Sequence, residues 1–323
     1  VRPPEGEDRP TSRLDALVAR ARRLVEPHLA PGAVVAVSGG ADSLALAAVA
    51  GFFVRRRGLD ARAVVVDHGL QDGSAEVASR AAAQCEALGL PATVCRVEVR
   101  DLGSGPEDAA RVARHRALHA EADGAPILLA HTLDDQAESV LLGLARGSGP
   151  RSIDGMRPAS GALRRPFLAL RRAETERICA LHDVEPWHDP HNDDPAYRRV
   201  RVRHELLPLM EEVLGGGVAE ALARTADLVR ADADLLDAMA CDEAPPSGAI
   251  DDVTAFADLD PAVRMRVWRR LAVAAGAAAG ELSHAHTRAL DGLLDARGGT
   301  RIELPGHVTA VRDGRGVRFL DAR

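Results

Sequence analysis

Between residues 33 and 130, short runs rich in valine and leucine alternate with stretches in which apolar side chains recur every three to four positions. Runs at 33–37, 62–67, 92–99 and 126–130 read as strands, and the patterns near 43–57, 74–88 and 106–122 read as helices. Ahead of them Leu14, Leu17, Val18, Ala21, Leu24, Val25 and Leu29 keep helical spacing and predict an amphipathic helix. Near-continuous apolar strands separated by helices predict an α/β fold with a doubly wound parallel sheet, covered on both faces. Ligands in such sheets gather at the carboxyl ends of the strands. Three of the four runs end there in polar residues: Ser38-Gly39-Gly40, Asp67-His68-Gly69 and His131-Thr132.

Farther along, the composition of 146–170 shifts to Gly, Pro and Arg and reads as loop. A helix is expected near 171–183, then a Pro/Asp/His-rich stretch over 185–196, then helices over 218–240, 261–275 and 281–296. The chain finishes with strand-like Arg301–Leu304, Val308–Arg312 and Val317–Leu320, the last two joined by the hairpin signal Asp313-Gly314-Arg315-Gly316. Residues 1–30 then form an N-terminal extension and helix, and 31–212 the α/β domain. Residues 218–323 form a smaller, mostly helical domain with a terminal hairpin, and Gly215-Gly216-Gly217 marks the boundary. Residues 1–10, rich in Pro and charge, read as disordered and lack the apolar segment of a signal peptide.

A length of 323 residues suits two such domains. Aromatics make up only 2% of the chain, so the core must be aliphatic. All 41 basic residues are arginine, and the net charge of −7 argues against a uniformly basic nucleic-acid surface. Locally the balance reverses, with eleven Arg against eight Asp and Glu over 151–203. The four cysteines, Cys85, Cys95, Cys179 and Cys241, have no metal-ligand spacing and read as thiols of a reducing compartment. No apolar run reaches membrane-spanning length, so the expectation is a cytoplasmic protein with no membrane partner.

Four segments carry candidate chemistry. In Ser38-Gly39-Gly40-Ala41-Asp42-Ser43 a strand meets a helix N-terminus through a glycine pair. Glycine lets the backbone approach an anion, and the first helical N–H groups and the helix dipole favour negative charge there. No Gly-Lys-Ser/Thr follows, so this is not a Walker A loop. Asp42, an anion inside a phosphate site, makes most sense if Mg²⁺ bridges it to phosphate oxygens. The second segment, Ala130-His131-Thr132-Leu133-Asp134-Asp135-Gln136-Ala137-Glu138, opens a helix on whose face Asp134 or Asp135 can join Glu138. Carboxylates in a first turn also suit ordinary capping. In the third, Arg111 and Arg114 stand near a helix start, either serving phosphate or pairing with Glu107 and Asp108. The fourth runs from Trp187 through Asp189-Pro190-His191-Asn192-Asp193 to Arg198-Arg199-Val200-Arg201-Val202-Arg203-His204, with arginines packed as a phosphate backbone would require.

The first of these segments resembles the pyrophosphate-binding loop, Ser-Gly-Gly-x-Asp-Ser, of the ATP pyrophosphatases, the adenine nucleotide α-hydrolase-like superfamily. The order of all the segments, with Val66-Asp67-His68-Gly69-Leu70, Arg165-Pro166 and Arg203-His204-Glu205-Leu206-Leu207-Pro208, is similar to the bacterial tRNA(Ile)-lysidine synthetase family over about 33–210. Two positions depart from the family pattern: Thr132 stands where a second His is common, and Val200 where Asn usually follows Arg.

The resemblance implies a two-step reaction with ATP, Mg²⁺, free L-lysine and a tRNA(Ile) bearing the CAU anticodon. O2 of the wobble cytidine attacks the α-phosphorus and pyrophosphate leaves. The lysine ε-amine then attacks C2 and AMP leaves. On this reading Ser38, Gly39, Gly40, Ala41, Asp42, Ser43 and Asp67 hold ATP, with Mg²⁺ at Asp42. Asp135 and Glu138 hold lysine, whose ammonium ordinarily titrates near about 10.4, and they or Asp42 take its proton. Arg111 and His131 meet the activated cytidine and its phosphate, and Arg114, Arg199 and Arg203 meet tRNA or ATP phosphate. The helical C-terminal domain would grip tRNA, and oligomeric state stays open, a homodimer among the options. A thiolase of the same superfamily is the alternative, though it would generally need paired cysteines; a non-catalytic nucleotide- or tRNA-binding protein is the other.

Overall fold

The computed structural model describes residues 13–69, 73–99, 106–147 and 149–321; the expectation for residues 1–10 lies outside them, as do Leu70 and the side chains of Glu107 and Asp108. The elements run α1 (Arg13–Val25), β1 (Ala33–Val37), α2 (Ala41–Arg57), β2 (Ala61–Asp67), α3 (Ser74–Ala87), β3 (Ala92–Arg96), α4 (Pro106–Ala122), β4 (Ile127–Leu128), α5 (Leu133–Arg146) and α6 (Pro150–Ile153). They continue with β5 (Ala159–Ser160), β6 (Leu163–Arg164), α7 (Arg172–Leu181), α8 (Arg198–Arg201), a π-helical turn over Val202–Leu206, and α9 (Leu207–Leu214). The last are α10 (Val218–Asp242), α11 (Val253–Ala257), α12 (Pro261–Ala274), α13 (His284–Asp291), β7 (Arg301–Leu304), β8 (Val308–Asp313) and β9 (Gly316–Asp321).

Two compact units divide the chain, one built from residues up to Ser139 and from Met156–Ala223, the other from Val140–Gly155 and Arg224–Arg323. In the first, a six-stranded sheet has the order β3-β2-β1-β4-β6-β5, parallel throughout except for β5. Because side chains alternate along a strand, Val35, Ala63 and Leu128 face α1, α2, α3 and α7, while Val34, Val64 and Ile127 face Leu118 and Ala122 of α4. Both faces are therefore covered, as the continuous apolar strands require. The helix α2 is buried along most of its length, from Ser43 to Phe53, and Gly51 lets it touch the α3–β3 connection. A Cβ at Gly51 would lie 2.4 Å from the Leu88 carbonyl oxygen.

The segment 146–170 is more than the expected loop. It supplies α6 and the β5–β6 pair, and β6 extends the sheet beside β4. Strands of two residues are too short to show alternation in sequence. The arginine-rich stretch after Tyr197 is helical, passing through the π turn into α9.

In the second unit, α11, α12 and α13 pack on the antiparallel sheet β7-β8-β9 around the fully buried Trp268. The Trp268 indole N–H donates to Asp291 at 3.0 Å, and Phe256 meets its ring edge-on. The two-residue hairpin turn Gly314-Arg315 joins β8 to β9, with Asp313 opposite Gly316. Among the described residues no helix is long and apolar enough to cross a membrane.

Candidate active site

The Ser38–Ser43 loop leaves β1 and enters α2 with Gly39 at φ 86°. Ser43 Oγ donates to the Gly40 carbonyl at 2.9 Å and accepts the Ser38 N–H at 3.2 Å, which closes the loop on itself. Gly40 occupies the N-cap and brings no side-chain acceptor, so no side chain caps the first-turn amides of α2. The Trp187 N–H donates to the Gly39 carbonyl at 2.9 Å, tying the Trp187–Asp194 stretch to the loop. Cys179 Sγ donates to the Ala41 carbonyl at 3.2 Å, and burial pushes its thiol up to about 12, which favours the uncharged thiol.

Asp42 reaches the start of α7. It accepts the Thr175 hydroxyl, and its Oδ2 lies 3.5 Å from Arg172 Nε. Burial pushes the carboxyl up to about 6, against the pull of Thr175 and Arg172. Arg172 also reaches Asp135 at 2.9 Å and Glu138 at 3.5 Å, so one guanidinium touches a carboxylate of the loop and two of the three carboxylates of the α5 motif.

Asp135 has two roles on its two oxygens. Oδ2 accepts the Thr132 N–H at 2.8 Å and its hydroxyl at 2.9 Å, a cap on α5 in which Thr132 replaces the second histidine of the family pattern. Oδ1 faces Arg172, with Arg199 and Arg203 within 3.7 Å. Burial opposes its charge, but Arg172, the Thr132 amide and Arg199 hold its carboxyl below the usual range. Glu138 is fully buried, with Arg203 Nε on Oε1 and Arg199 Nε on Oε2, both at 2.7 Å. Arg199 and Arg203, expected to meet phosphate, thus lie on the acidic pair. Asp134 turns away, accepting the Arg172 N–H at 2.7 Å and pairing with Arg171 at 2.9 Å.

A second group lies beyond the ends of β2, β4 and β6. Asp67 is buried and accepts the Gly69 N–H at 2.9 Å; burial opposes its charge, yet that bond, the Ser74 hydroxyl and Arg96 hold its carboxyl below the usual range. His131 follows β4, and Arg165 Nε donates to its Nδ1 at 3.2 Å. Burial takes His131 down to about 4, and Arg165, Arg199 and Arg114 push the same way against Asp135. Burial and the charge of Arg111 lower both Arg114 and Arg165, and Arg114 acts likewise on His68 and His115. The result is a cationic patch beside the acid–arginine cluster. The expected site residues therefore gather at the carboxyl ends of the strands: Asp135, Glu138, Arg199 and Arg203 in contact, Asp42 joined to the two carboxylates through Arg172, His131, Arg111 and Arg114 beside them, and Asp67 at the end of β2.

The sequence reading missed Arg172, Thr175 and Arg165. Arg172 and Thr175 sit at the start of α7, three apart on one face, and Arg165-Pro166 stood in the motif order without a role. Among the described residues no cluster of three or more His, Cys, Asp or Glu side chains has metal-binding geometry.

The PP-loop domain family matches residues 14–210. The chain is 55% identical to the tRNA(Ile)-lysidine synthase of Leifsonia xyli subsp. xyli, over 88% of this chain and 90% of that protein. It is 50% identical to the tRNA(Ile)-lysidine synthase of Thermobifida fusca, over 90% and 93% respectively. Among solved structures, the U34-tRNA thiolase NcsA of Methanococcus maripaludis shares the fold with a TM-score of 0.55 at 16% identity, over 67% of this chain and 80% of that one.

Proposed function

The chain belongs to the tRNA(Ile)-lysidine synthase family, and from that premise we propose that the crevice bounded by the Ser38–Ser43 loop and the Asp135–Glu138 pair is its active site. The protein is an ATP-dependent tRNA-modifying ligase that forms lysidine. The observation carrying the site is Arg172, which reaches Asp42 at 3.5 Å, Asp135 at 2.9 Å and Glu138 at 3.5 Å and so joins the two motifs.

The substrates are the CAU-anticodon tRNA(Ile) and free L-lysine, met in the cytoplasm. The triphosphate lies against the amides of Gly40 to Ser43, with Asp67 toward the nucleoside. The wobble cytidine enters over His131, Arg111 and Arg114, whose positive field offsets charge building on the α-phosphate. A single carboxylate completed by phosphate oxygens and water is the donor set that suits Mg²⁺. Asp42, partly exposed and on the loop, fits that role. When bound, Mg²⁺ would neutralise the departing pyrophosphate.

Once cytidine O2 has displaced pyrophosphate, the lysine ε-amine adds at C2 and AMP leaves with the former O2. The amine must first lose its proton to a carboxylate. Arg199 and Arg203 hold both oxygens of Glu138, and a triphosphate competes for these guanidiniums. Each one drawn toward phosphate uncovers carboxylate for the lysine ammonium, so ATP prepares the lysine site. The C-terminal unit contributes tRNA contacts.

Incubation with ATP, Mg²⁺, labelled lysine and tRNA transcripts tests the reading. Label is expected only on the CAU isoleucine tRNA, with one pyrophosphate and one AMP released per lysine. Nucleotide and tRNA binding without pyrophosphate release would overturn it.

A further inference from the structure

Parallel pairing of β4 with β6 sets Leu128 opposite Arg164, and the Leu129 N–H donates to the Arg164 carbonyl at 2.8 Å. The next residues of the two strands therefore run side by side, which brings Arg165 against His131. Arg165 is itself fixed. Its N–H donates to the Pro158 carbonyl and its Nη1 to the Arg157 carbonyl, both at 2.8 Å. Its Nε is then directed at His131 Nδ1, 3.2 Å away.

A guanidinium is a donor only and stays protonated. The nitrogen facing it must carry the lone pair, which leaves the ring proton on Nε2. We propose that Arg165 is a positioning residue that locks His131 as the neutral Nε2–H tautomer, so that His131 meets the activated cytidine or its phosphate as a hydrogen-bond donor and not as a proton-carrying base. This rests on the placement of His131 beside the activated base. The charged groups facing the ring are Asp135 from the first turn of α5, Arg165 beyond β6, Arg199 from α8 and Arg114 from α4. Burial first, then the three arginines against Asp135, keep the ring neutral, and the Arg165 Nε–H facing Nδ1 sets which tautomer it takes.

The test is nitrogen NMR of the full chain labelled at histidine, with His131→Asn assigning the ring signals. The wild type is expected to show an unprotonated Nδ1 and a protonated Nε2 at pH 7. Arg165→Met should mix the tautomers, let the ring take a proton at higher pH, and lower kcat about tenfold with KM for ATP held within about twofold. Arg165→Lys, which keeps a donor and a charge, should restore part of the tautomer bias. A protonated Nδ1 in the wild type at pH 7, or ring signals unmoved by Arg165→Met, overturns the proposal. The wild-type spectrum decides even where the Met variant unfolds. It needs no turnover, so the labelled-lysine assay judges the proposed function separately.

Discussion

Glu138→Gln probes the acid–arginine cluster at its most buried point. Glu138 is 0% exposed and accepts Arg199 and Arg203 at 2.7 Å each, with Arg172 at 3.5 Å. The amide keeps the shape and removes the charge, and its NH2 group has only donors to face. Hydrogen bonds to charged groups contribute about 1.5–3 kcal/mol each, and breaking a fully buried pair costs about 3–5 kcal/mol. Water covers part of that loss, because the side chains of Arg199, Arg203 and Arg172 are 39%, 23% and 23% exposed. Asp135 remains within 3.7 Å of all three. The net expectation is about 2–4 kcal/mol, read as an earlier urea transition of the first unit by tryptophan fluorescence at Trp187. Under the proposed function, kcat/KM for lysine should also fall by about a hundredfold or more. A stability change below about 1 kcal/mol together with an unchanged lysine KM would refute both the clamp and the role.

Gly39→Ala places a Cβ at φ 86°, 3.4 Å from Ala81 Cβ, and the strained loop should lose ATP affinity about tenfold by calorimetry; wild-type affinity would exclude the loop as the phosphate seat. His131 has its folded pKa lowered from 6.5 to about 4, so its contribution is present above pH 6.5 and lost as pH falls toward 4. In urea melts, wild type minus His131→Asn should lose about 1–3 kcal/mol across that window, and parallel profiles would contradict the burial. Since Arg199 and Arg203 cover the carboxylates expected to receive lysine, a nonhydrolysable ATP analogue should tighten lysine binding about tenfold in calorimetry; equal affinity with and without it would reject the ordered exchange.

The sheet and its helices were legible because each depends on a local signal. Val34 and Val35 announce a strand buried on both faces, and Gly39-Gly40 before Ala41-Asp42-Ser43 announces a phosphate-type turn. Legible for the same reason was the hairpin at Gly314-Arg315. The β5–β6 pair was not, since two-residue strands carry no period and β6 is defined by its neighbour β4. The site divided along the same line. Asp42, Asp135 and Glu138 stood out by motif, whereas Arg172 and Thr175 gained their significance only when α7 folded against the loop. Spacing could not reveal that Arg199 and Arg203 turn inward to Glu138, because the contacts span 61 and 65 residues.

The arginine-only composition has a chemical consequence at this crevice. An activated cytidine is open to attack by any neutral amine, and a lysine side chain desolvated among arginines would have its pKa lowered toward that neutral form. Every cation that touches Asp42, Asp135 or Glu138 is instead a guanidinium, protonated throughout the working range. The site can thus gather enough positive charge for a triphosphate without bringing its own rival nucleophile. Planarity adds a second advantage, for Arg172 spreads three contacts over three carboxylates where an ammonium would concentrate its charge on one. Under the proposed function, free lysine is then the one amine in a pocket whose other cations cannot react, and its selection rests on the carboxylates that those guanidiniums release.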